Sequence, residues 1–208
     1  MRLRNIKNKE EILNNCSFVI KNPSDYKGKW NNLFKNDNKI YIEIGTGKCK
    51  FIYESALKNP NINYIGIEKS ASILAIACKK IKKLDNLYLI NYDAIKLDEI
   101  FEKEIDKIYL NFSDPWPKNR HESRRLTSSN FLKVYDKLFK NEKQIEFKTD
   151  NESLFEYSVC SLSNYGYIIE SLNLDLQKNL NNDNIMTEYE YKFIQKGFRI
   201  YKLTAFKK

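Results

Sequence analysis

The stretch Tyr41-Ile42-Glu43-Ile44-Gly45-Thr46-Gly47 is an apolar run that ends in two glycines. Residues 39–44 have the β-branched and aromatic content of a strand, and a helical pattern follows the glycines to about residue 58. Glycines between a strand and a helix permit a tight turn and let a ligand approach bare backbone at the start of the helix. The stretch therefore predicts the first βα unit of an α/β domain, although Gly-x-Gly alone is also compatible with a plain tight turn.

Apolar runs and helical patterns alternate along the rest of the chain. The predicted strands are residues 39–44, 61–67, 87–90, 107–112, 144–148, 167–174 and 198–206. Repeated βα units form mostly parallel sheets that helices cover on both faces, with ligands at the carboxyl ends of the strands. We therefore predict a doubly wound, seven-stranded, mostly parallel α/β fold of the Rossmann-like kind, with an antiparallel edge formed by the last strands.

The length of 208 residues and the hydrophobic content of 42% favour one domain with its own core. Residues 1–25 are polar and basic, and we expect them to form an arm that can be flexible, ahead of a single domain at 26–208. No apolar run is long enough to cross a membrane, and the start lacks the apolar core of a signal peptide. We expect a cytoplasmic protein without a membrane partner.

The cysteines and the histidine exclude several classes of site. The four cysteines are at least 29 residues apart, and His121 is the only histidine in the sequence. This spacing does not match a zinc site or a disulfide framework, and one histidine leaves few Ser-His or Cys-His hydrolase mechanisms. We expect no metal.

The net charge of +9 is concentrated in three segments. Residues 1–35 carry +5, residues 118–125 carry +3 and residues 192–208 carry +6, so the remaining chain is acidic. Basic segments around an acidic body are typical of a protein that binds a polyanion such as a nucleic acid. A biased composition rich in Asn, Ile and Lys is the alternative explanation.

Acidic residues lie at the ends of three predicted strands. Glu43 precedes the glycines, Glu68 follows Gly47 by 21 residues, and Asp93 comes after the third strand. An acid at the end of the second strand can bind a ribose diol, which suits NAD and S-adenosylmethionine alike. Lys50 occupies the place of the third glycine in the dinucleotide fingerprint, and Glu43 would repel a pyrophosphate but attract the ammonium and sulfonium of S-adenosylmethionine. The pattern favours a cationic donor, and Asp93 fits either an adenine contact or a helix N-cap.

The fourth strand ends at Asn111-Phe112-Ser113-Asp114-Pro115-Trp116-Pro117-Lys118, which places Asp114 at the same edge of the sheet. Two prolines around a tryptophan stiffen the loop and expose an aromatic face that can hold a flipped base. The basic run Arg120-His121-Glu122-Ser123-Arg124-Arg125 follows, and its cations can meet the phosphates beside that base. We interpret His121 as an RNA contact rather than a catalytic base.

Two further blocks carry carboxylates. Phe147-Lys148-Thr149-Asp150 ends the fifth strand, so Asp150 shares a rim with Asp114. Thr187-Glu188-Tyr189-Glu190 precedes the last strand and also has the pattern of a helix capping box. Because carboxylates accept the N1 and amino protons that guanine offers, an acidic pocket selects guanine over adenine.

The Glu-Ile-Gly-x-Gly, Ser-Asp-Pro-Trp-Pro-Lys, Lys-Thr-Asp and Thr-Glu-Tyr-Glu blocks, in this order, closely resemble those of the bacterial tRNA (guanine-N7-)-methyltransferases over about residues 26–206. The resemblance implies a class I methyltransferase that modifies guanosine 46 in the variable loop of tRNA. It implies that Asp114 is catalytic and that S-adenosylmethionine is bound by Glu43, Gly45, Gly47, Glu68, Asp93, Ala94 and Asp114. It further implies substrate contacts at Lys118, Asp150, Thr187, Glu188, Tyr189 and Glu190, and RNA contacts at Arg120, His121, Arg124 and Arg125.

The chain departs from the family pattern at Cys49, where a third glycine is common, and at Asn119 and Glu122 in a loop that is usually more basic. The residues leave three alternatives open. These are methylation of another RNA or of a small molecule, a nicotinamide-dependent oxidoreductase, and a non-catalytic RNA-binding module. A monomer and a homodimer are both compatible with the sequence.

Overall fold

The computed structural model describes residues 6–178 and 184–208. Its helices are α1 (Lys9–Asn15), α2 (Trp30–Phe34), α3 (Lys50–Lys58), α4 (Ala71–Lys80), α5 (Ser129–Leu138), α6 (Glu152–Asn164) and α7 (Glu188–Ile194). Its strands are β1 (Ile40–Ile44), β2 (Asn63–Glu68), β3 (Leu87–Asn91), β4 (Ile105–Asn111), β5 (Phe139–Thr149), β6 (Ile168–Asn173) and β7 (Tyr201–Lys207). Within these two ranges, no helix has the length and apolar character needed to cross a bilayer.

The described strands form one seven-stranded sheet in the order β3-β2-β1-β4-β5-β7-β6. Strands β1 to β5 pair in parallel, whereas β7 is antiparallel to both β5 and β6. The predicted mostly parallel sheet with antiparallel pairing at one end is confirmed. The antiparallel strand itself lies one place inside the edge, because β7 inserts between β5 and β6.

Both faces of the sheet are buried at its central strands. Alternate strand residues point to opposite faces, so Ile40, Ile42 and Ile44 pack with residues of α2, α5 and α6. Tyr41 of the same strand packs on the other side, with residues of α1, α3 and α4. Two covered faces explain why β1 and β2 are buried at nearly every position, as parallel strands usually are.

Residues 9–20 rest on the sheet and its helices. Helix α1 packs against α4, and Leu13, Phe18 and Val19 are buried. The N–H of Leu89 donates to the Phe18 carbonyl oxygen at 2.8 Å, and the N–H of Ile20 donates to the Leu89 carbonyl oxygen at 2.9 Å. This segment covers the outer edge of β3, which would otherwise expose unpaired backbone groups. The division of the chain at residue 25 stays a prediction.

Between β3 and β4 the chain forms a 3-10 turn at Ala94–Glu99. Strand β5 differs from the sequence-based expectation. Strand β5 begins at Phe139, whereas the sequence predicts a start at residue 144. Residues 140–142 are polar and exposed, so the apolar pattern from which a strand is predicted is absent there.

The crossover connections diverge between β1 and β4. Helix α3 follows β1 on one face, whereas α5 follows β4 on the other. In open α/β sheets such a switch leaves a crevice at the carboxyl ends of the two strands, where ligands bind. The glycines after β1 and Asp114 after β4 both lie at this position.

Candidate active site

The glycine turn (residues 45–47) is tied to the end of β2. The N–H groups of Gly45 and Thr46 donate to the Ile67 carbonyl oxygen at 2.8 and 3.0 Å. Gly45 and Gly47 have φ values of +78° and +58°, which glycine adopts without steric cost. A Cβ on either glycine would meet no atom of the described residues within 4 Å. The turn therefore presents bare backbone to open space.

Glu43 lies beneath the glycine turn and is 2% exposed. Its carboxylate accepts hydrogen bonds from Thr46 Oγ1 at 2.6 Å and from Asn111 Nδ2 at 2.8 Å, which joins the ends of β1 and β4. Burial raises the pKa of Glu43 to about 7, although both hydrogen bonds favour the charged form. Glu43 therefore positions the turn and Asn111, and it does not present an open carboxylate to a ligand.

Glu68 reaches from the end of β2 to the glycine turn. Its Oε2 accepts from the Gly47 N–H at 3.1 Å, and its Oε1 accepts from the Ser70 N–H at 2.8 Å. Burial raises the pKa of Glu68, and the nearby charge of Asp114 adds to this rise. Glu68 at the end of β2 and Asp114 in the loop after β4 therefore repel each other as negative charges.

Asp93 follows β3 and caps the turn that begins at Ala94. Its Oδ1 accepts from the Ile95 N–H at 3.3 Å, and its Oδ2 lies 2.7 Å from Lys69 Nζ. Partial burial by itself would raise the pKa of Asp93, but Lys69 and the Ile95 N–H outweigh it, and the pKa is lowered. The capping role is confirmed, and a contact of Asp93 or Ala94 with adenine stays a prediction.

The loop of residues 112–117, called the Trp116 loop below, carries Asp114 at the crevice. Phe112 and Trp116 have positive φ values of +52° and +42°, which are uncommon for large side chains. Backbone strain of this kind persists only where the surrounding structure imposes it, and it clusters at functional sites. Asp114 itself is exposed.

Arg125 imposes the shape of the Trp116 loop. Its Nε donates to the Pro115 carbonyl oxygen at 3.2 Å, and its Nη2 donates to the Trp116 carbonyl oxygen at 3.1 Å. Its guanidinium carbon lies 4.3 Å from the ring centroid of Tyr157. The RNA contact expected of Arg125 therefore competes with a role in holding the loop.

Two side chains of the basic run contact the Trp116 ring. The guanidinium carbon of Arg124 lies 4.9 Å from the Trp116 ring centroid, and His121 packs edge-on against that ring at 5.7 Å. Lys118, Arg120 and Arg124 are exposed. These side chains form a basic surface around one aromatic face.

Lys148 is a residue that sequence reasoning missed. It is 1% exposed, and its Nζ donates to Asn184 Oδ1 at 2.7 Å, to the Ile185 carbonyl oxygen at 3.3 Å and to Glu190 Oε2 at 3.4 Å. Burial lowers the pKa of Lys148 and the Glu190 carboxylate opposes this shift. A lysine within the apolar end of a buried strand was the signal that could have found it. Asp150, two residues further on, is partly buried, and burial raises its pKa.

Thr187 and Glu190 form the capping box at the start of α7. The Glu190 N–H donates to Thr187 Oγ1 at 2.8 Å, and the Thr187 N–H donates to Glu190 Oε2 at 3.4 Å. Glu190 Oε1 accepts from Asn184 Nδ2 at 2.8 Å, and the side chain is fully buried. The capping interpretation of this block is confirmed.

The other two residues of that block face outward. Glu188 lies 3.0 Å from Lys48 Nζ and 3.1 Å from Lys80 Nζ, which links α7 to the glycine turn and to α4. Tyr189 is 54% exposed, and its ring centroid lies 5.9 Å from that of Phe112 in the Trp116 loop. Tyr189 is therefore the residue of the block that is open to a substrate.

Comparison with known proteins identifies the family. A sequence profile described as "Putative methyltransferase" matches residues 37–203. A tRNA (guanine-N(7)-)-methyltransferase of Geobacillus sp. (strain WCH70) is 54% identical over 206 residues, which cover 97% of this chain and 94% of the relative. The protein of the same name from Bacillus subtilis (strain 168) is 50% identical and covers 97% of both chains. The chain belongs to the tRNA (guanine-N(7)-)-methyltransferase family.

Solved methyltransferase structures share the fold of this family member. One, described as an antibiotic related methyltransferase, has a TM-score of 0.66 at 23% identity and covers 86% of this chain and 93% of its own. A variant of 16S rRNA (adenine(1408)-N(1))-methyltransferase from Catenulisporales acidiphilia, with cosubstrate SAM, has a TM-score of 0.59 at 16% identity, covering 86% of this chain and 90% of its own. These likenesses concern the fold alone and confirm the class I methyltransferase architecture.

The crevice of this tRNA (guanine-N(7)-)-methyltransferase family member suits a donor with positive charge. Asn111 Oδ1 is a buried acceptor at the end of β4, and no donor from residues 6–178 or 184–208 reaches it. Glu43 accepts from Nδ2 of the same side chain, and Glu68 binds the glycine turn. A buried acceptor that lacks a donor, close to the Glu68 end of the crevice, is complementary to an ammonium group, so the residues fit S-adenosylmethionine. The described part of the chain has no group of three His, Cys, Asp or Glu side chains that could hold a metal ion.

Proposed function

We propose that this chain transfers the methyl group of S-adenosylmethionine to N7 of a guanosine in tRNA, with guanosine 46 of the variable loop as the target. The observation that carries the proposal is the crevice at the switch between β1 and β4, where Glu68 accepts from the Gly47 N–H and Asp114 follows β4. Relatives with this activity in their names are 54% and 50% identical over nearly the whole chain, which supports the same reaction.

The donor supplies a methyl group on a positively charged sulfur. Glu68 would accept hydrogen bonds from its ribose hydroxyls, since each carboxylate oxygen that binds an N–H keeps a second lone pair. The open backbone of Gly45 and Gly47 would lie against the donor, and Asn111 Oδ1 would accept from its ammonium group. Asp93 and Ala94 would line the adenine end of the site.

The acceptor requires orientation more than activation. Guanine N7 has a lone pair and no proton in the neutral base, so no general base has to remove one. Holding reactants in line can contribute up to about 7 to 11 kcal/mol to a reaction of this kind. Asp114 orients the base and faces the positive charge that develops on the purine, and the rigid Trp116 loop holds it there.

Asp150 is the carboxylate best placed to select guanine. It follows β5, the strand next to β4, and it is partly buried. An ionised Asp150 would accept the N1 and exocyclic amino protons of guanine, whereas adenine presents an acceptor at N1. Glu190 and Thr187 bind each other, so we assign them to positioning α7 and leave the substrate contact in that block to Tyr189.

The exposed cations provide the RNA-binding surface. Arg124 and His121 pack against the Trp116 ring, and Lys118 and Arg120 are exposed in the same segment of the chain. Phosphate contacts from such cations position a nucleic acid without reading its sequence. A flipped guanine in the crevice would bring its flanking phosphates to this surface.

One assay tests donor, acceptor and atom together. The protein is incubated with S-adenosylmethionine labelled in the methyl group and with unmodified tRNA transcript, and the alkali-labile 7-methylguanosine is mapped. We expect one labile site, at position 46, and no label in a transcript with adenosine there. Label at an alkali-stable position, or only in a small molecule, would reject N7 of tRNA guanosine. If NAD protected the protein against unfolding and S-adenosylmethionine did not, S-adenosylmethionine would be rejected as the donor.

A further inference from the structure

Four aromatic rings form a continuous row, called the aromatic ladder below: Phe112, Tyr189, Phe193 and Phe198. The ring centroids are 5.9 Å apart for Phe112 and Tyr189, 4.8 Å for Tyr189 and Phe193, and 5.3 Å for Phe193 and Phe198. Tyr189 and Phe193 are one helical turn apart and share a face of α7. Because Phe112 is two residues from Asp114, the ladder starts at the proposed catalytic position and leads away from it.

The backbone holds the ladder in place. Gly197 has a φ of +76°, its N–H donates to the Ile194 carbonyl oxygen at 2.9 Å, and the Phe198 N–H donates to the Phe193 carbonyl oxygen at 3.1 Å. This is the Schellman turn, which commonly brings two apolar side chains together at a helix end. Gln177 Nε2 also donates to the Phe198 carbonyl oxygen at 3.0 Å. The backbone of Phe198, the last residue of the aromatic ladder, is therefore held by hydrogen bonds to Phe193 and Gln177.

Helix capping explains the contact between Phe193 and Phe198 but not the exposure of the ladder. Tyr189 is 54% exposed and Phe198 is 49% exposed. A row of aromatic rings that only stabilised the helix end would be expected to bury its faces, since exposed apolar patches usually mark binding sites. The exposed faces of Tyr189 and Phe198 are therefore open to stacking with a ligand.

The charges beside the ladder indicate the chemistry of that partner. Lys192, Lys196 and Arg199 are exposed, and Lys196 Nζ lies 5.6 Å from the Phe193 ring centroid. Residues 192–208 contain six basic residues and no acid. Both acids in the first turn of α7 are paired, Glu188 with Lys48 and Lys80, and Glu190 with Lys148. Aromatic faces among cations suit unpaired nucleotides, whose bases stack on rings while their phosphates meet the positive charges.

We propose that the aromatic ladder binds the unpaired nucleotides next to the target guanosine by stacking their bases on Tyr189 and Phe198. This inference rests on the proposed function and adds a second subsite outside the crevice. Extruding the target base removes stacking from its neighbours, and the ladder replaces that stacking with aromatic rings. Lys192, Lys196 and Arg199 then face the backbone of the same nucleotides.

The test compares Phe198→Ala, Phe198→Trp and Leu57→Ala in binding to unmodified tRNA. Leu57 lies on α3 and is 55% exposed, so it is a matched control for the loss of an exposed apolar side chain. We expect Phe198→Ala to weaken tRNA binding by about 5- to 150-fold, the range that base–aromatic stacking corresponds to. The salt dependence should not change, Phe198→Trp should bind like the original chain, and Leu57→Ala should have no effect. Transcripts with 5-iodouridine beside the target should crosslink on irradiation to a peptide containing residue 189 or 198.

The outcomes separate the two proposals. If Phe198→Ala binds tRNA as Leu57→Ala does while the original chain methylates it, the ladder proposal is overturned and the proposed function stands. If the original chain neither binds nor methylates tRNA, the proposed function fails and the ladder with it. Should Phe198→Ala not fold, as urea unfolding would show, Phe198→Leu carries the same expectation, because leucine keeps an apolar side chain but has no ring on which a base can stack.

Discussion

Lys148 and Glu190 form an ion pair inside the protein, with Nζ 3.4 Å from Oε2 and side-chain exposures of 1% and 0%. The pair joins the end of β5 to the capping box of α7 across 42 residues of sequence. Two charges out of water stabilise a fold only while both are present, because either one alone lacks hydration and a partner. Through this anchor the sheet holds α7, and with it Tyr189, against Phe112 of the Trp116 loop.

We predict that Lys148→Met lowers the free energy of unfolding by about 3 to 5 kcal/mol, because Glu190 stays buried without its cation. Urea unfolding followed by circular dichroism measures the change. The double variant Lys148→Met/Glu190→Gln should recover part of the loss, since no charge is then buried. A single variant as stable as the original chain would show that the pair does not anchor α7.

Glu43 should make stability depend on pH. The unfolded chain loses this proton near pH 4.5, whereas the folded protein keeps it until about pH 7. Between these values the folded state binds more protons, so stability falls as pH rises, by about 3 kcal/mol for this group. The measurement is the free energy of unfolding at pH 5 and at pH 7.5.

Glu43→Gln is the control for this titration. Glutamine can donate to Thr46 Oγ1, whose hydroxyl also accepts, and can still accept from Asn111 Nδ2, so both hydrogen bonds survive. The free energy of unfolding of the original chain, relative to that of this variant, should decrease between pH 5 and pH 7.5. A constant difference would contradict the raised pKa of Glu43.

Asp114→Ala should reduce methyl transfer by about 100- to 1000-fold while changing stability by no more than about 0.5 kcal/mol. The reason for the small stability effect is that Asp114 is exposed. Single-turnover methylation of tRNA and urea unfolding provide the two measurements. Near-normal methylation by the folded variant would remove Asp114 from the mechanism.

Arg124 and Arg125 are neighbours for which we predict different defects. Arg124→Ala should weaken tRNA binding and reduce the slope of log affinity against log salt by about 1, because one phosphate contact is lost. Arg125→Ala should leave that slope unchanged and lower turnover instead, because the Trp116 loop loses two hydrogen bonds. Equal salt slopes for the two variants would mean that the division of roles is wrong.

The fold was predictable because it depends on local periodicity. Alternating apolar runs and helical stretches predict the parallel sheet, and the sequence places the glycines, Glu68 and Asp114 at the ends of the first, second and fourth strands. Since parallel strands end at one edge, this much of the crevice follows without coordinates. The polar start of β5 and the place of β7 inside the edge could not be predicted, because both depend on pairing with distant strands.

The sequence by itself determined the class of fold, the family and the chemical types gathered at the crevice. Only the tertiary structure decided how those groups are used. It buries Glu190 against Lys148 and leaves Tyr189 open, it turns Arg125 into the loop while Arg124 faces outward, and it closes Glu43 beneath the glycine turn. Burial and hydrogen-bond partners come from residues far apart in the chain, and they set which charges a ligand can reach.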